Sequence, residues 1–167
     1  MSTKSLIQSG IILIIMLILF SIYIFFFLNK EQEIISDSKT ITDADNKIME
    51  LKYNAIDEEG NNYVIQSKSG KVSEKDKNIL ILREVTGVIK IKDTDEIIIL
   101  SDIAEYNKIT LDTHFYHNVK LTYEGHSINS DSLFMNYIDK NINIENNIIY
   151  KGYNNKLLAD MVEIDLV

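Results

Sequence analysis

SDIAEYN (101–107), SDSLFMN (130–136) and ADMVEID (159–165) recur along the chain at a constant offset, their first residues being Ser101, Ser130 and Ala159. In each copy a small residue and an Asp precede two apolar positions, Ala104/Leu133/Val162 and Tyr106/Met135/Ile164. The residues between and after them are mostly polar: Glu105, Phe134 and Glu163, then Asn107, Asn136 and Asp165. Side chains on a strand alternate between its faces, so each copy predicts a strand with one buried and one exposed face. Asn118-Val119 and Asn147-Ile148 repeat the same offset, and a looser earlier copy begins near Ser67, with the Val85–Val88 stretch in the place of Asn118-Val119. Self-similarity of this period in strands predicts stacked strand pairs that bury a continuous core. The same alternation places Asp102, Asp131 and Asp160 on the apolar side, where a turn or bulge hydrogen bond to backbone accommodates an Asp.

Period-two alternation extends over the rest of residues 48–167, and no helical periodicity competes with it. Met49, Leu51, Tyr53 and Ala55 alternate with Glu50, Lys52 and Asn54, and the turn signal DEEGNN (57–62) leads into Tyr63 and Ile65. Further runs cover 79–82, 88–91, 97–106, 115–123, 132–138, 142–150 and 157–166. Gly60, Gly70, Gly87, Gly125 and Gly152 fall near run ends or irregularities. Short strands at this spacing predict an all-β sandwich, barrel or roll.

Upstream, IILIIMLILFSIYIFFFL (11–28) carries polar groups only at Ser21 and Tyr23. A helix needs about 20 apolar residues to cross the hydrocarbon core, and Leu6 and Ile7 extend this run. The run is longer than the roughly 7–15 apolar residues of a cleaved signal, and FFFLNKEQE offers no small residues for cleavage. An uncleaved transmembrane anchor is therefore expected in residues 1–28, followed by a polar linker (29–47) and a folded domain (48–167). Lys4 precedes the run and Lys30, Lys39 and Lys47 follow it, so counting Lys does not settle the orientation.

Among 167 residues there are 17 Lys plus Arg and 25 Asp plus Glu, a net charge of −8 with Arg83 as the single Arg. Nucleic-acid binding needs a basic footprint, which this chain lacks. The absence of Cys removes disulfide scaffolds, thiolate metal sites, Cys nucleophiles and a lipidated cysteine. His114 and His117 are spaced to opposite faces of a strand, so even with His126 and Glu124 they make a poor zinc site. Asp93-Thr94-Asp95-Glu96 lacks the glycine and the Glu spacing of a calcium loop and reads as a solvated turn. No nucleophile elbow, P-loop or dinucleotide fingerprint is present, so no catalytic residue, metal or cofactor is assigned and the chain is not expected to be an enzyme. The inner apolar face remains, as either a filled core or a trough for acyl chains, because burial of apolar surface drives both. The final run leaves a strand edge open to another chain or shielded by Asp160, Glu163 and Asp165.

The uncleaved helix, the polar linker and the short all-β domain with its D-x-A-E-Y-N-type unit resemble the LptC family. These are inner-membrane-anchored, periplasmic components of lipopolysaccharide transport in Gram-negative envelopes. The resemblance implies an OstA/LptA-like β-jelly roll, a twisted open roll of repeated antiparallel strands, behind one N-terminal transmembrane helix. It further implies a single-pass inner-membrane protein with its C-terminal domain in the periplasm. Lipopolysaccharide would be accepted from an LptB–LptF–LptG ABC transporter, its lipid A acyl chains inside the roll, and passed to LptA through an edge-to-edge sheet. The implied lipid contacts are Ala104, Tyr106, Val119, Leu121, Leu133, Met135, Ile148, Tyr150, Val162 and Ile164. The implied partner contacts are Met49, Leu51 and Tyr53 towards the transporter and Leu157, Ala159, Met161 and Glu163 towards LptA, with Gly152 letting the last strand splay. Two other readings stay open: an anchored β-scaffold that binds only envelope proteins, and a soluble LptA-like carrier with a cleaved signal peptide.

Overall fold

The structure, a computed structural model, describes residues 13–14, 16–21, 35–36 and 47–166. The chain divides into two compact units, Met1–Gln32 and Glu33–Val167. In the first, residues 13–14 and 16–21 are helical, and the rest of the expected anchor lies outside the described residues. Among the described residues no helix is long and apolar enough to cross a membrane.

The second unit is an all-antiparallel sheet in which every strand pairs with its sequence neighbour. A two-residue strand β1 (Ile35–Ser36) lies within the expected linker and pairs with Asn54 and Tyr53. Eight long strands follow: β2 (Ile48–Ile56), β3 (Asn62–Val72), β4 (Ile79–Lys90), β5 (Glu96–Asn107), β6 (Thr113–Tyr123), β7 (His126–Asn136), β8 (Asn141–Lys151) and β9 (Lys156–Asp165). The strands are longer than the apolar runs predict. β4 joins two of those runs across Arg83-Glu84, and β3 continues through the polar segment 66–71. Backbone pairing with neighbours carries the strand where the side-chain pattern falters, because the ladder hydrogen bonds do not depend on side-chain polarity.

A crease crosses the sheet. The register sets Glu50 opposite Lys68, Lys68 opposite Glu84 and Glu84 opposite Asp102. The line continues on β6 and β8, each of which carries one residue more than its neighbours. His117 and Asn118 face Asp131 alone, and Asn146 and Asn147 face Asp160 alone. Glu50, Glu84, His117, Asn118, Asn146 and Asn147 all have positive φ, between 52° and 66°. Bulges bend the strand and increase its twist, and Asn tolerates the left-handed conformation better than most residues. On the unbulged strands the inner phase slips at the same line. β5 buries Ile97, Ile99 and Ser101, then Ala104 and Tyr106; β7 buries Ile128 and Ser130, then Leu133 and Met135. This slip corrects the expectation for Asp102, Asp131 and Asp160: alternation counted back from Ala104, Leu133 and Val162 would turn them inward, yet all three are exposed.

Bending along the crease wraps the sheet into a jelly-roll-like body around one core. Phe115 on β6 is fully buried and reaches over Gly87 on β4, where an added Cβ would lie 3.0 Å from its Cζ. Tyr53 on β2 meets Tyr106 on β5 with ring centroids 4.9 Å apart, and Tyr63 on β3 meets Tyr137 beyond β7 at the same distance. Strands distant in the order thus share one apolar interior.

Candidate functional site

The interior is lined by the inward residues of every long strand, and the repeats supply much of it. Ala104, Tyr106, Val119, Leu121, Leu133, Met135 and Ile148 are buried, whereas Tyr150, Val162 and Ile164 are half-buried. Exposure therefore rises at β9 and at the Tyr150 end of β8, and among the described residues no strand lies beyond β9 in the sheet order. At Leu157, opposite Tyr150, the inward side chain is 60% exposed. Around Tyr53, Tyr106, Met135 and Tyr137 the packing leaves a void of only about 10 Å³, the room of a single water. That part of the lumen is a filled core. Phe115, Ile142 and Ile144, also fully buried, belong to it and are absent from the expected contacts. Phe115 and Ile144 occupy the same place in successive repeats, so the repeat itself carried the signal.

The phenols of Tyr53, Tyr63 and Tyr106 stay neutral. Burial raises the pKa of Tyr106, with Tyr53 and Tyr137 adding to the effect, and burial is also the main cause at Tyr53 and Tyr63. Thr113 is fully buried, and its hydroxyl has no hydrogen-bond partner among the described residues.

A polar latch joins separate turns. Asp57 accepts hydrogen bonds from the N–H groups of Glu59 and Asn61 at 3.0 and 2.8 Å, from Asn61 Nδ2 at 2.9 Å and from the Tyr63 hydroxyl at 3.3 Å. Lys140, in the β7–β8 turn, stands 3.7 Å from Asp57 and hydrogen-bonds Glu59. The backbone N–H of Leu166 donates to the Lys140 carbonyl at 2.9 Å, tying in the end of β9. Burial alone would raise the Asp57 pKa, but the Asn61 and Glu59 amides, the Asn61 side chain and Lys140 hold it below the ordinary carboxylate value.

A second cluster stands by the β6–β7 and β8–β9 turns. The Tyr150 hydroxyl lies 2.7 Å from His126 Nδ1, and the Tyr153 hydroxyl donates to the Glu124 carbonyl at 3.0 Å. Gly152 sits against them: a Cβ there would come within 2.8 Å of the Tyr150 oxygen. The glycine permits this close approach. On the outer face His114 bonds Ser132 at 2.9 Å and Tyr116 at 2.6 Å. Desolvation lowers the His114 pKa, against the opposing pull of Glu105 and Glu145. His117 stands in the β6 bulge, and the described residues hold no group of three or more metal-binding side chains.

The partner contacts expected at the two edges are placed as follows. On β2, Leu51 is buried and Met49 and Tyr53 are half-buried. On β9, Ala159 is half-buried, while Leu157, Met161 and Glu163 are exposed. Leu158, at 74% exposure, is absent from the expected partner contacts because these took alternate residues from Leu157. Sequence reasoning also left Asn118 and Asn147 without a role; they bond Asp102 and Asp131 across the crease.

No curated protein matches the chain. The family described as lipopolysaccharide-assembly, LptC-related, matches residues 13–160. That match covers most of both the apolar segment and the β-roll, and the chain belongs to the LptC-related family of lipopolysaccharide-assembly proteins.

Proposed function

We propose that this protein is a membrane-anchored periplasmic β-roll that takes lipopolysaccharide from an LptB–LptF–LptG ABC transporter and passes it to an LptA-type carrier. Family membership ties the chain to lipopolysaccharide transport; the order of the hand-off and the partners are read from the resemblance. The observation that carries the site is the gradient of burial inside the roll. An acyl chain needs apolar surface that is inward yet uncovered, and the β8–β9 flank offers it at Tyr150, Leu157, Val162 and Ile164. The deeper contacts, Tyr106 and Met135, are reached only if the packed side chains part. Lipid bound on this flank gains from apolar burial at roughly 25 cal/mol per Å². In support of an anchor, Leu13, Ile14 and residues 16–20 expose large apolar side chains on a helix, an arrangement suited to hydrocarbon rather than water.

The close packing around Tyr53, Tyr106, Met135 and Tyr137 favours a second reading, an anchored scaffold that binds only proteins. Photocrosslinking in cells separates the two. A photoreactive residue at Tyr150 or Val162 is expected to yield ATP-dependent lipopolysaccharide adducts, with weaker adducts from Tyr106 and Met135. Absence of adducts at all four positions, in a folded protein bound to an active transporter, would establish the scaffold instead.

A further inference from the structure

Along the crease from β5 to β9, Asp102, Asp131 and Asp160 on the odd strands alternate with left-handed residues on the even strands, whereas β3 carries Lys68 between Glu50 and Glu84. Asn118 on β6 donates to Asp102 on β5 at 2.6 Å, and Asn147 on β8 donates to Asp131 on β7. Both pairs have the same separation along the chain, and the second stands one repeat unit after the first. In both, the amide comes from the strand that follows the carboxylate. Asp160 on β9 holds the next carboxylate position, and among the described residues no strand follows β9 in the sheet order. Its side chain has no partner among the described residues, and a hollow of about 470 Å³, lined by Asn147, Leu158, Ala159 and Asp160, adjoins it.

We infer that Asp160 selects the strand that joins the β9 edge, admitting one that carries a carboxamide in a left-handed bulge opposite it. This rests on the proposed pairing of β9 with a partner strand. The incoming amide would complete a charge-assisted hydrogen bond of the kind already made twice inside the sheet. The same rule rejects another copy of this chain. The even strand at its other end, β2, presents Glu50 at the left-handed crease position, with φ of 53°. Head-to-tail pairing in crease register would set Glu50 against Asp160 and offer it a carboxylate in place of an amide. The occupant is therefore a different β-protein with an amide at that position.

The probe is a peptide copying residues 141–151 of this chain, which carries Asn147 and already makes the required pairing with β7. Its binding to the full-length protein in detergent micelles is measured alongside amide exchange over residues 157–165. Protection of β9 is expected, with about tenfold tighter binding than the same peptide bearing Asn147→Asp, the worth of one hydrogen bond to a charged group. In the Asp160→Asn protein this preference should vanish. Equal affinity of both peptides, with β9 protected, would overturn the selection while leaving edge pairing intact. No protection of β9 by either peptide would overturn edge pairing itself, and the inference with it.

Discussion

The wrapping of the sheet predicts a coupling between Gly87 and Phe115. They lie on β4 and β6, two places apart in the strand order, and meet only because the sheet bends. A methyl group at position 87 would lie 3.0 Å from Phe115 Cζ, 3.4 Å from Cε1 and 3.5 Å from the Ile99 Cβ. The Phe115 ring is fully buried among close-packed neighbours, so relieving the contact by a few tenths of an ångström shifts either the ring and its surroundings or the β4 backbone. Overpacking of this kind costs about 1–3 kcal/mol. The reduced freedom of the unfolded chain returns about 0.4–1 kcal/mol. Gly87→Ala should thus destabilise by about 1–2 kcal/mol. Phe115→Leu removes the far edge of the ring and should cost about 1–2 kcal/mol through the cavity it leaves. In that background the new methyl fills space instead of meeting the ring, so Gly87→Ala should become neutral or stabilising. The expected coupling is about 1–2 kcal/mol, within the range for residues in contact. Urea unfolding of the full chain in detergent micelles, followed by the near-ultraviolet signal of its nine tyrosines, measures all four corners of the cycle. Additive effects would refute the packing of β6 over β4.

Three further outcomes follow from the geometry. The Asp57 carboxyl has a lowered pKa in the folded state, so its contribution is present above the ordinary carboxylate value of about 3.9 and is lost as pH falls through the folded value. Urea midpoints between pH 7 and pH 3 should therefore fall less steeply for Asp57→Asn than for the parent, and identical slopes would dismiss the latch as a source of acid sensitivity. In the β8 bulge, Asn147→Gly keeps the left-handed backbone and loses one hydrogen bond, for about 1 kcal/mol, whereas Asn147→Val adds about 1–2 kcal/mol of backbone strain; equal stabilities would contradict the bulge. Removing residues 157–167 should abolish capture of an LptA-type carrier in pull-down while retaining the transporter, and retention of both would place the carrier at another surface.

The repeat units made the strands legible because an exposed-face and buried-face alternation survives in their sequence, most plainly at Ala104, Tyr106, Leu133 and Met135. The tail of β3 was illegible for the opposite reason. Ser67, Ser69 and Gly70 are buried without being apolar, so neighbours rather than hydropathy hold them inside. The inward phase of Asp102 was misread because alternation was extrapolated through a crease, and one slipped residue reverses every face beyond it. Asn118 and Asn147 show the same limit. Their common offset was visible, but their function as amide donors to Asp102 and Asp131 depends on which strands lie side by side.

By itself, then, the sequence determined the class of the fold, the apolar segment at 11–28, the turns and the constant repeat that starts at Ser101, Ser130 and Ala159. These are local properties, set by side-chain alternation and turn chemistry within a few residues of one another. Only the tertiary structure decided that Phe115 crosses Gly87, that the lumen is filled at Tyr106 and Met135 but half open at Tyr150, Val162 and Ile164, and that Asn118 and Asn147 meet Asp102 and Asp131. Each of those depends on contacts between residues far apart in the chain, where the bend of the whole sheet, and not any one strand's pattern, sets what touches what.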